Sequence, residues 1–178
     1  MPRTLGYHVV KSGYGLWLPG DHRGHWSEAW DEQIGFIEPH TLHDGDPVRL
    51  RMAQERMKHP AVRFSESMMN AISQTIDHCE DESEWSVAAR AIVPTHLHLL
   101  ISYTTGSIEG TVKWLSQEMT KAIHKRPPYA GPVFAKGHWI EFVFDESHWM
   151  NLIAYISRHP IKPPMVSAGN TTSIPTHE

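Results

Sequence analysis

The order of elements along this sequence predicts an α+β fold with helices packed on an antiparallel sheet. Strand-like and helix-like segments alternate, no glycine-rich phosphate loop of the Rossmann or P-loop type is present, and there are no internal repeats. A chain of 178 residues with 40% hydrophobic content can bury a core as one domain. We expect that domain to span residues 1–162, followed by a flexible C-terminal tail at 163–178.

The spacing of apolar residues places the individual elements. Alternation predicts strands at about residues 5–12 and 85–93, and one or two short strands within 133–144. Helical spacing predicts helices at about residues 47–58, 66–80 and 107–125. The segment from the first strand to about residue 46 fits neither pattern, and an irregular stretch of that length is usually functional or mobile.

The first candidate site is the segment His96-Leu97-His98, within an apolar run that predicts a strand. Residues i and i+2 of a strand lie on the same face, so both imidazoles are expected to point one way, away from Leu97 and Leu99. Two neighbouring neutral imidazoles form half of a metal site. Taken alone, the pair also fits two ordinary polar residues of a strand.

The second candidate site is a predicted amphipathic helix that begins after Asp145, a typical N-cap residue, and ends at Pro160. Tyr155 and His159 are four residues apart and share a face of this helix. Taken separately, Tyr155 fits a packing residue and His159 a cation at a helix C-terminus. Together with the histidine strand, they indicate a tyrosine nucleophile that attacks a metal-polarised phosphodiester.

Five segments of the chain occur in an order seen together in one family: residues 7–10, 15–24, 93–100, 133–139 and 154–160. They include the two-histidine strand, the tyrosine helix and the turn Trp17-Leu18-Pro19-Gly20-Asp21. Over residues 5 to about 162 the chain resembles the HUH single-strand DNA transposases, and most closely the REP-associated tyrosine transposases. The combination of the three features makes the resemblance fairly specific.

This resemblance implies a ferredoxin-like antiparallel sheet with helices packed on it, and a set of functional residues. Tyr155 matches the nucleophile, while His96, His98 and His159 match the ligands of a divalent metal ion, Mg²⁺ or Mn²⁺. The implied activity is metal-dependent cleavage and rejoining of single-stranded repeat or hairpin DNA through a 5′-phosphotyrosine. At position 159 relatives usually carry Asn or Gln, and three imidazoles bind Mn²⁺, Co²⁺, Ni²⁺ or Zn²⁺ more readily than Mg²⁺.

The charge of the chain argues mildly against nucleic-acid binding, because its net charge is −4 and strong phosphate binders are usually basic. The distribution is more favourable, since residues 106–165 contain seven Lys and Arg against five acids. We therefore expect single-stranded or hairpin DNA to bind through local patches, to a monomer or a homodimer. The candidate DNA-binding residues are Arg23, Lys113, Lys121, Lys125, Lys136 and Arg158.

Cellular location and alternative functions complete the expectations. A single cysteine, Cys79, precludes an internal disulfide, and no apolar run predicts a signal peptide or a membrane span, so a cytoplasmic protein without a membrane partner is expected.

Two alternative functions remain open. One is a non-catalytic regulator that binds hairpin DNA, and the other is a metal-dependent hydrolase that does not use the tyrosine.

Overall fold

The computed structural model describes residues 3–23, 25–26, 42–126 and 129–159. The domain boundary at residue 162 and the tail at 163–178 lie outside these residues and stay predictions. In chain order the elements are β1 (Gly6–Ser12), β2 (His25–Trp26), β3 (Leu42–His43), α1 (Pro47–Glu55), α2 (Glu66–Asp81), β4 (Val87–Ile92), β5 (His96–Ser102), α3 (Ile108–His124), β6 (Trp139–Val143) and α4 (Glu146–Ser157).

The central sheet has the strand order β4-β5-β1-β6, and all neighbouring strands are antiparallel. Ignoring the short β2-β3 pair and α1, the chain follows the path β1-α2-β4-β5-α3-β6, which is the ferredoxin-like order. The predicted fold class is therefore confirmed. An additional helix, α4, follows the last strand.

Helices α2 and α3 cover one face of the sheet. Both begin at a serine whose side chain accepts a hydrogen bond from a backbone N–H of the first turn, Ser65 in α2 and Ser107 in α3. Their buried residues form the main core with alternate residues of β5, namely Leu97, Leu99 and Ile101. This face is closed by apolar packing.

Helix α4 covers the opposite face. Asp145 caps its N-terminus, as expected, and Leu152 and Ile156 pack with Leu100 of β5. Alanines on β4 pack against this smaller core, and at Gly6 of β1 a Cβ atom would lie 2.5 Å from the Trp149 ring. Since a Cβ at Gly6 would also meet a backbone carbonyl oxygen at 2.2 Å, that position excludes any side chain.

Most predicted elements are present, with ends that differ by a few residues. In the 133–144 segment, β6 is the one extended strand, and Phe134 forms an isolated bridge with Gly13. Helix α4 ends at Ser157 rather than at Pro160, because Arg158 caps it and the N–H of His159 bonds the carbonyl of Ile156. Of the irregular segment before residue 46, residues 24 and 27–41 lie outside the described residues. None of the described helices has the length and apolar character needed to cross a bilayer.

Candidate metal centre and tyrosine site

The structure brings His96, His98 and His159 together at one end of the sheet, in a cluster we call the histidine triad. His96 and His98 share the α4 face of β5, as their spacing predicts, and His159 follows the last turn of α4. Nε2 of His96 lies 3.1 Å from Nε2 of His98 and 3.2 Å from Nε2 of His159. Among the described residues, these three could hold a metal ion.

Two of the three nitrogen spacings in the triad, those from His96, fit ligation of one ion, and all three nitrogens lie within 4.8 Å of one another. Two nitrogens about 2.1 Å from a common ion lie about 3.0 Å apart at a right angle and about 3.4 Å apart at a tetrahedral angle. The His96 contacts of 3.1 and 3.2 Å fall within this range. A set of three imidazoles suits Mn²⁺, Co²⁺, Ni²⁺ or Zn²⁺ better than Mg²⁺.

Burial keeps two of these imidazoles neutral. Burial, with smaller contributions from the neighbouring His96, His8 and His159, lowers the pKa of His98 to about 3. Burial likewise lowers the pKa of His96 to about 4, together with the charges of His159 and Arg23. At neutral pH these side chains therefore carry the lone pairs that metal ligation needs.

Behind the triad lie polar side chains that the sequence analysis did not select. Thr95 Oγ1 is 2.8 Å from Nδ1 of His96, and Nε2 of the buried His8 is 2.9 Å from Nδ1 of His98. Nδ1 of His8 in turn lies 3.4 Å from Glu141 Oε2 on β6. In the sequence, the signal for His8 and Glu141 is a polar residue inside an otherwise apolar strand, but their partners depend on the pairing of strands distant in sequence.

Tyr155 lies beside the triad on α4. Its ring centroid is 5.8 Å from that of His98 and 5.5 Å from that of His159. The side chain is exposed, although it neighbours a buried imidazole. A nucleophile at this position would be open to a large substrate.

The turn at residues 17–21 brings a cation toward the triad. Gly20 has φ +87° and lies against the first turn of α1, where a Cβ would be 2.4 Å from the backbone N of Leu50. Asp21 accepts hydrogen bonds from the Arg23 guanidinium, which also stacks 4.8 Å from the Trp17 ring. Because the Arg23 charge contributes to the lowered pKa of His96, this loop places a positive group near the site.

Comparison with solved structures bears on the fold. The chain is similar to a REP-associated tyrosine transposase solved with a bound REP hairpin, with a TM-score of 0.52 and 10% sequence identity, over 91% of this chain and 70% of that one. The chain shares the fold of this transposase. A second similarity, to a protein from Deinococcus radiodurans assigned as a transposase, covers 89% of this chain and 92% of that one at 13% identity, but its TM-score of 0.48 is too low to carry weight. No protein-family model and no curated protein matches the sequence significantly.

On this transposase fold the candidate DNA-binding residues divide into two groups. Arg23 lies near the triad, and the exposed Arg158 directly precedes His159. The exposed Lys136 lies on the loop after Phe134, which forms a bridge with Gly13 just beyond the end of β1. The other lysines are exposed on the far face of the sheet: Lys113 and Lys121 on α3, of which Lys121 is paired with Glu118, and Lys125 at its C-cap. Arg23 and Arg158 thus lie near the triad, whereas the lysines at α3 lie on the far face of the sheet, and DNA contact by any of them stays a prediction.

The acidic run at residues 77–84 lies away from the triad. It forms the C-terminal end of α2, just before β4 begins. The start of β4 pairs with the C-terminal part of β5, where Val87 faces Ile101, whereas His96 begins β5. The acids are thus near the opposite end of the sheet from the triad, which reduces their repulsion of a DNA strand at the site.

Proposed function

We infer that this protein cleaves and rejoins single-stranded DNA through a covalent tyrosine intermediate. The observation that carries this proposal is an exposed tyrosine, Tyr155, packed beside three histidines able to hold a metal ion. The transposase of similar fold was solved with a REP hairpin, which supports hairpin DNA as the substrate class.

The covalent step accounts for all its atoms. The phenol oxygen of Tyr155 bonds to the scissile phosphorus while the bond from phosphorus to the 3′ oxygen breaks. The phenol loses a proton, and the departing 3′ oxygen gains one to become a free hydroxyl. The product is a 5′-phosphotyrosine, and the 3′-hydroxyl of a second strand can displace Tyr155 by the reverse step without ATP.

The residues of the site have different roles in the proposed reaction. His96, His98 and His159 would hold a divalent ion, which supplies withdrawal of charge from the scissile phosphate and favours the deprotonated phenol. Helix α4 holds Tyr155 in its last turn and His159 follows directly after its C-cap, so the proposed nucleophile and ligand are close together in the chain. Arg23 offers a guanidinium near His96 for a phosphate of the bound strand.

The test uses labelled single-stranded hairpin DNA from repeats that flank the gene, with Mn²⁺ and the full chain. The wild type should form a protein–DNA species that survives denaturation, and Tyr155→Phe should form none. Tyr103→Phe is the matched control, because Tyr103 is 50% exposed against 52% for Tyr155 and lies beyond the opposite end of β5 from His96. Adduct formation by Tyr155→Phe at the wild-type yield would contradict the proposal.

The same experiment separates the two alternatives. Cleavage without an adduct, retained in Tyr155→Phe, would indicate a metal-dependent hydrolase. Hairpin binding with neither cleavage nor adduct, together with no binding of Mn²⁺ in calorimetry, would indicate a non-catalytic regulator.

A further inference from the structure

A row of polar side chains crosses three neighbouring strands and ends at the triad. Glu141 of β6 lies directly opposite His8 of β1. His8 is diagonal to His98 of β5, because His8 pairs with Leu100 and Val10 pairs with His98. Residues related in this way share a face of the sheet and are within reach of long side chains. We call Glu141, His8 and His98 the polar row.

The contacts along the polar row fix where the protons can be. His98 directs Nε2 at the triad, 3.1 Å from His96, and Nδ1 at His8 Nε2, 2.9 Å away. A neutral imidazole carries one N–H, so a free lone pair on Nε2 of His98 requires the proton on Nδ1, donated to His8. His8 must then accept at Nε2 and carry its own proton on Nδ1, which faces Glu141 Oε2 at 3.4 Å.

Glu141 decides between the two possible arrangements. An ionised carboxylate only accepts, so it favours the proton on Nδ1 of His8. Without it, His8 can carry its proton on Nε2 and donate to His98, which would convert the triad-facing nitrogen of His98 into an N–H. Thr95 has no such effect on His96, because a hydroxyl can either donate or accept.

Burial and a neighbour on α4 hold the row in place. His8 and His98 are both buried, so water does not readily replace their partners, and the Trp139 ring packs edge-on against His8. The other oxygen of Glu141, Oε1, lies 3.1 Å from Nε2 of His148 on α4, in a contact that lacks hydrogen-bond alignment. Glu141 is thus held from both sides.

We propose that Glu141 and His8 are positioning residues that keep His98 in the form with a free Nε2, and thereby set the metal affinity of the triad. The proposal rests on the metal site of the proposed function. Contacts of this kind beyond the ligands orient metal-bound histidines in proteins, and their loss typically lowers metal affinity about 10–100-fold.

The first measurement is the tautomer of His98 in the metal-free full chain, from the ¹⁵N chemical shifts of its ring near neutral pH. His98→Asn identifies the signals, which should show the proton on Nδ1 in the wild type. Glu141→Met should move the population toward the Nε2–H form. A wild-type His98 with its proton on Nε2, or an unchanged population in Glu141→Met, would overturn the proposal.

The second measurement is calorimetric titration with Mn²⁺. Glu141→Met and His8→Leu should bind about 10–100-fold more weakly than the wild type. His8→Gln should stay close to the wild type, because an amide can accept from His98 and donate to Glu141. Glu118→Met is the matched control, since the Glu118 side chain is 31% exposed against 32% for Glu141, and it should bind normally.

The outcomes distinguish this proposal from the proposed function. Equal Mn²⁺ affinity of Glu141→Met and the wild type would overturn the role of the polar row alone. A wild type that binds no Mn²⁺ would overturn both the row and the metal part of the proposed function. A missing DNA adduct with the expected Mn²⁺ affinities would count against the proposed function and leave the role of the row supported.

Discussion

The seven residues of β5 contribute different kinds of side chain to its two faces. Leu97, Leu99 and Ile101 face α2 and α3 and are almost completely buried in the main core. His96 and His98 face the side of α4, where the apolar contacts are limited to a smaller cluster around Leu100. One face is closed by two helices, whereas the other is covered by one helix that ends beside the triad.

Along β5, core residues therefore alternate with the two candidate metal ligands. Successive side chains of a strand point to opposite faces, so odd-numbered positions of β5 contribute to apolar packing and the first even-numbered positions supply candidate ligands. Substitutions on the two faces should therefore have separable effects, and four predictions test that separation.

The largest effect is expected from His96→Ala. Loss of a ligand removes the charge withdrawal that the metal site would supply, so DNA cleavage should fall by on the order of 10³-fold or more. Because His96 is half-buried and lies outside the apolar clusters, the substitution should not disturb the core, and hairpin binding should stay within a few-fold of the wild type. Gel assays of cleavage and binding measure the two quantities, and weaker binding with normal cleavage would contradict the prediction.

On the other face, Leu99→Ala should lower the free energy of unfolding by about 2–5 kcal/mol, because it leaves a cavity in the core between the sheet and helices α2 and α3. Urea unfolding followed by circular dichroism measures this loss. The Mn²⁺ affinity of the folded variant should match that of the wild type. A variant of normal stability with weakened metal binding would show that the faces are not separable.

Acid should act mainly through the α4 face. Burial lowers the pKa of His98 to about 3 and that of His96 to about 4, whereas both titrate near 6.5 in the unfolded chain. Below about pH 6.5 the unfolded chain therefore binds protons at these two histidines, whereas the folded chain does not. Their contribution to the free energy of unfolding is fully present above that pH and is lost as the pH falls toward about 3.

Urea unfolding of the metal-free chain at about pH 7 and about pH 5 checks this decline. His98→Gln should reduce the difference between the two midpoints. His78→Gln is the control, because the side chain of His78 is 70% exposed, and it should leave the difference unchanged. Equal midpoints at the two pH values in the wild type would refute the prediction.

The smallest effect is expected from His159→Asn, which removes one imidazole from the end of α4. An amide oxygen is a harder ligand, so the ranking of metals should move from Mn²⁺, Co²⁺ and Zn²⁺ toward Mg²⁺ without loss of cleavage. Calorimetry with each metal tests the change. An unaltered ranking would mean that His159 does not bind the ion, and the site would then consist of His96, His98 and water.

Local spacing was sufficient to predict the parts of the site that lie close together in the sequence. The shared face of His96 and His98 follows from the strand repeat; Tyr155 and His159 are also neighbours, as the helix repeat predicts, although α4 ends two residues before His159. The meeting of these two pairs rested on the family resemblance, because periodicity does not determine which end of the sheet a helix reaches.

The polar row was not predicted, for a physical reason. His8 is 90 residues from His98 and 133 from Glu141 in the sequence. Their contacts depend on the register of two strand pairs, and a shift of one residue in either pair would send His8 to the other face. The end of α4 was also placed too late, because the capping by Arg158 has no strong signal in the sequence.

The close approach of Gly6 and Trp149 has a consequence for the position of Tyr155. Trp149 rests directly on the backbone at Gly6, and Tyr155 lies six residues further along α4, roughly 9 Å along the axis at 1.5 Å per residue. The first turns of α4 are thus fixed against the sheet, and a displacement of these turns would also move the last turn. We therefore expect a methyl group at residue 6, which would meet both the Ile101 carbonyl oxygen and the Trp149 ring, to displace the start of α4 from the sheet and to change the position of Tyr155 relative to His98.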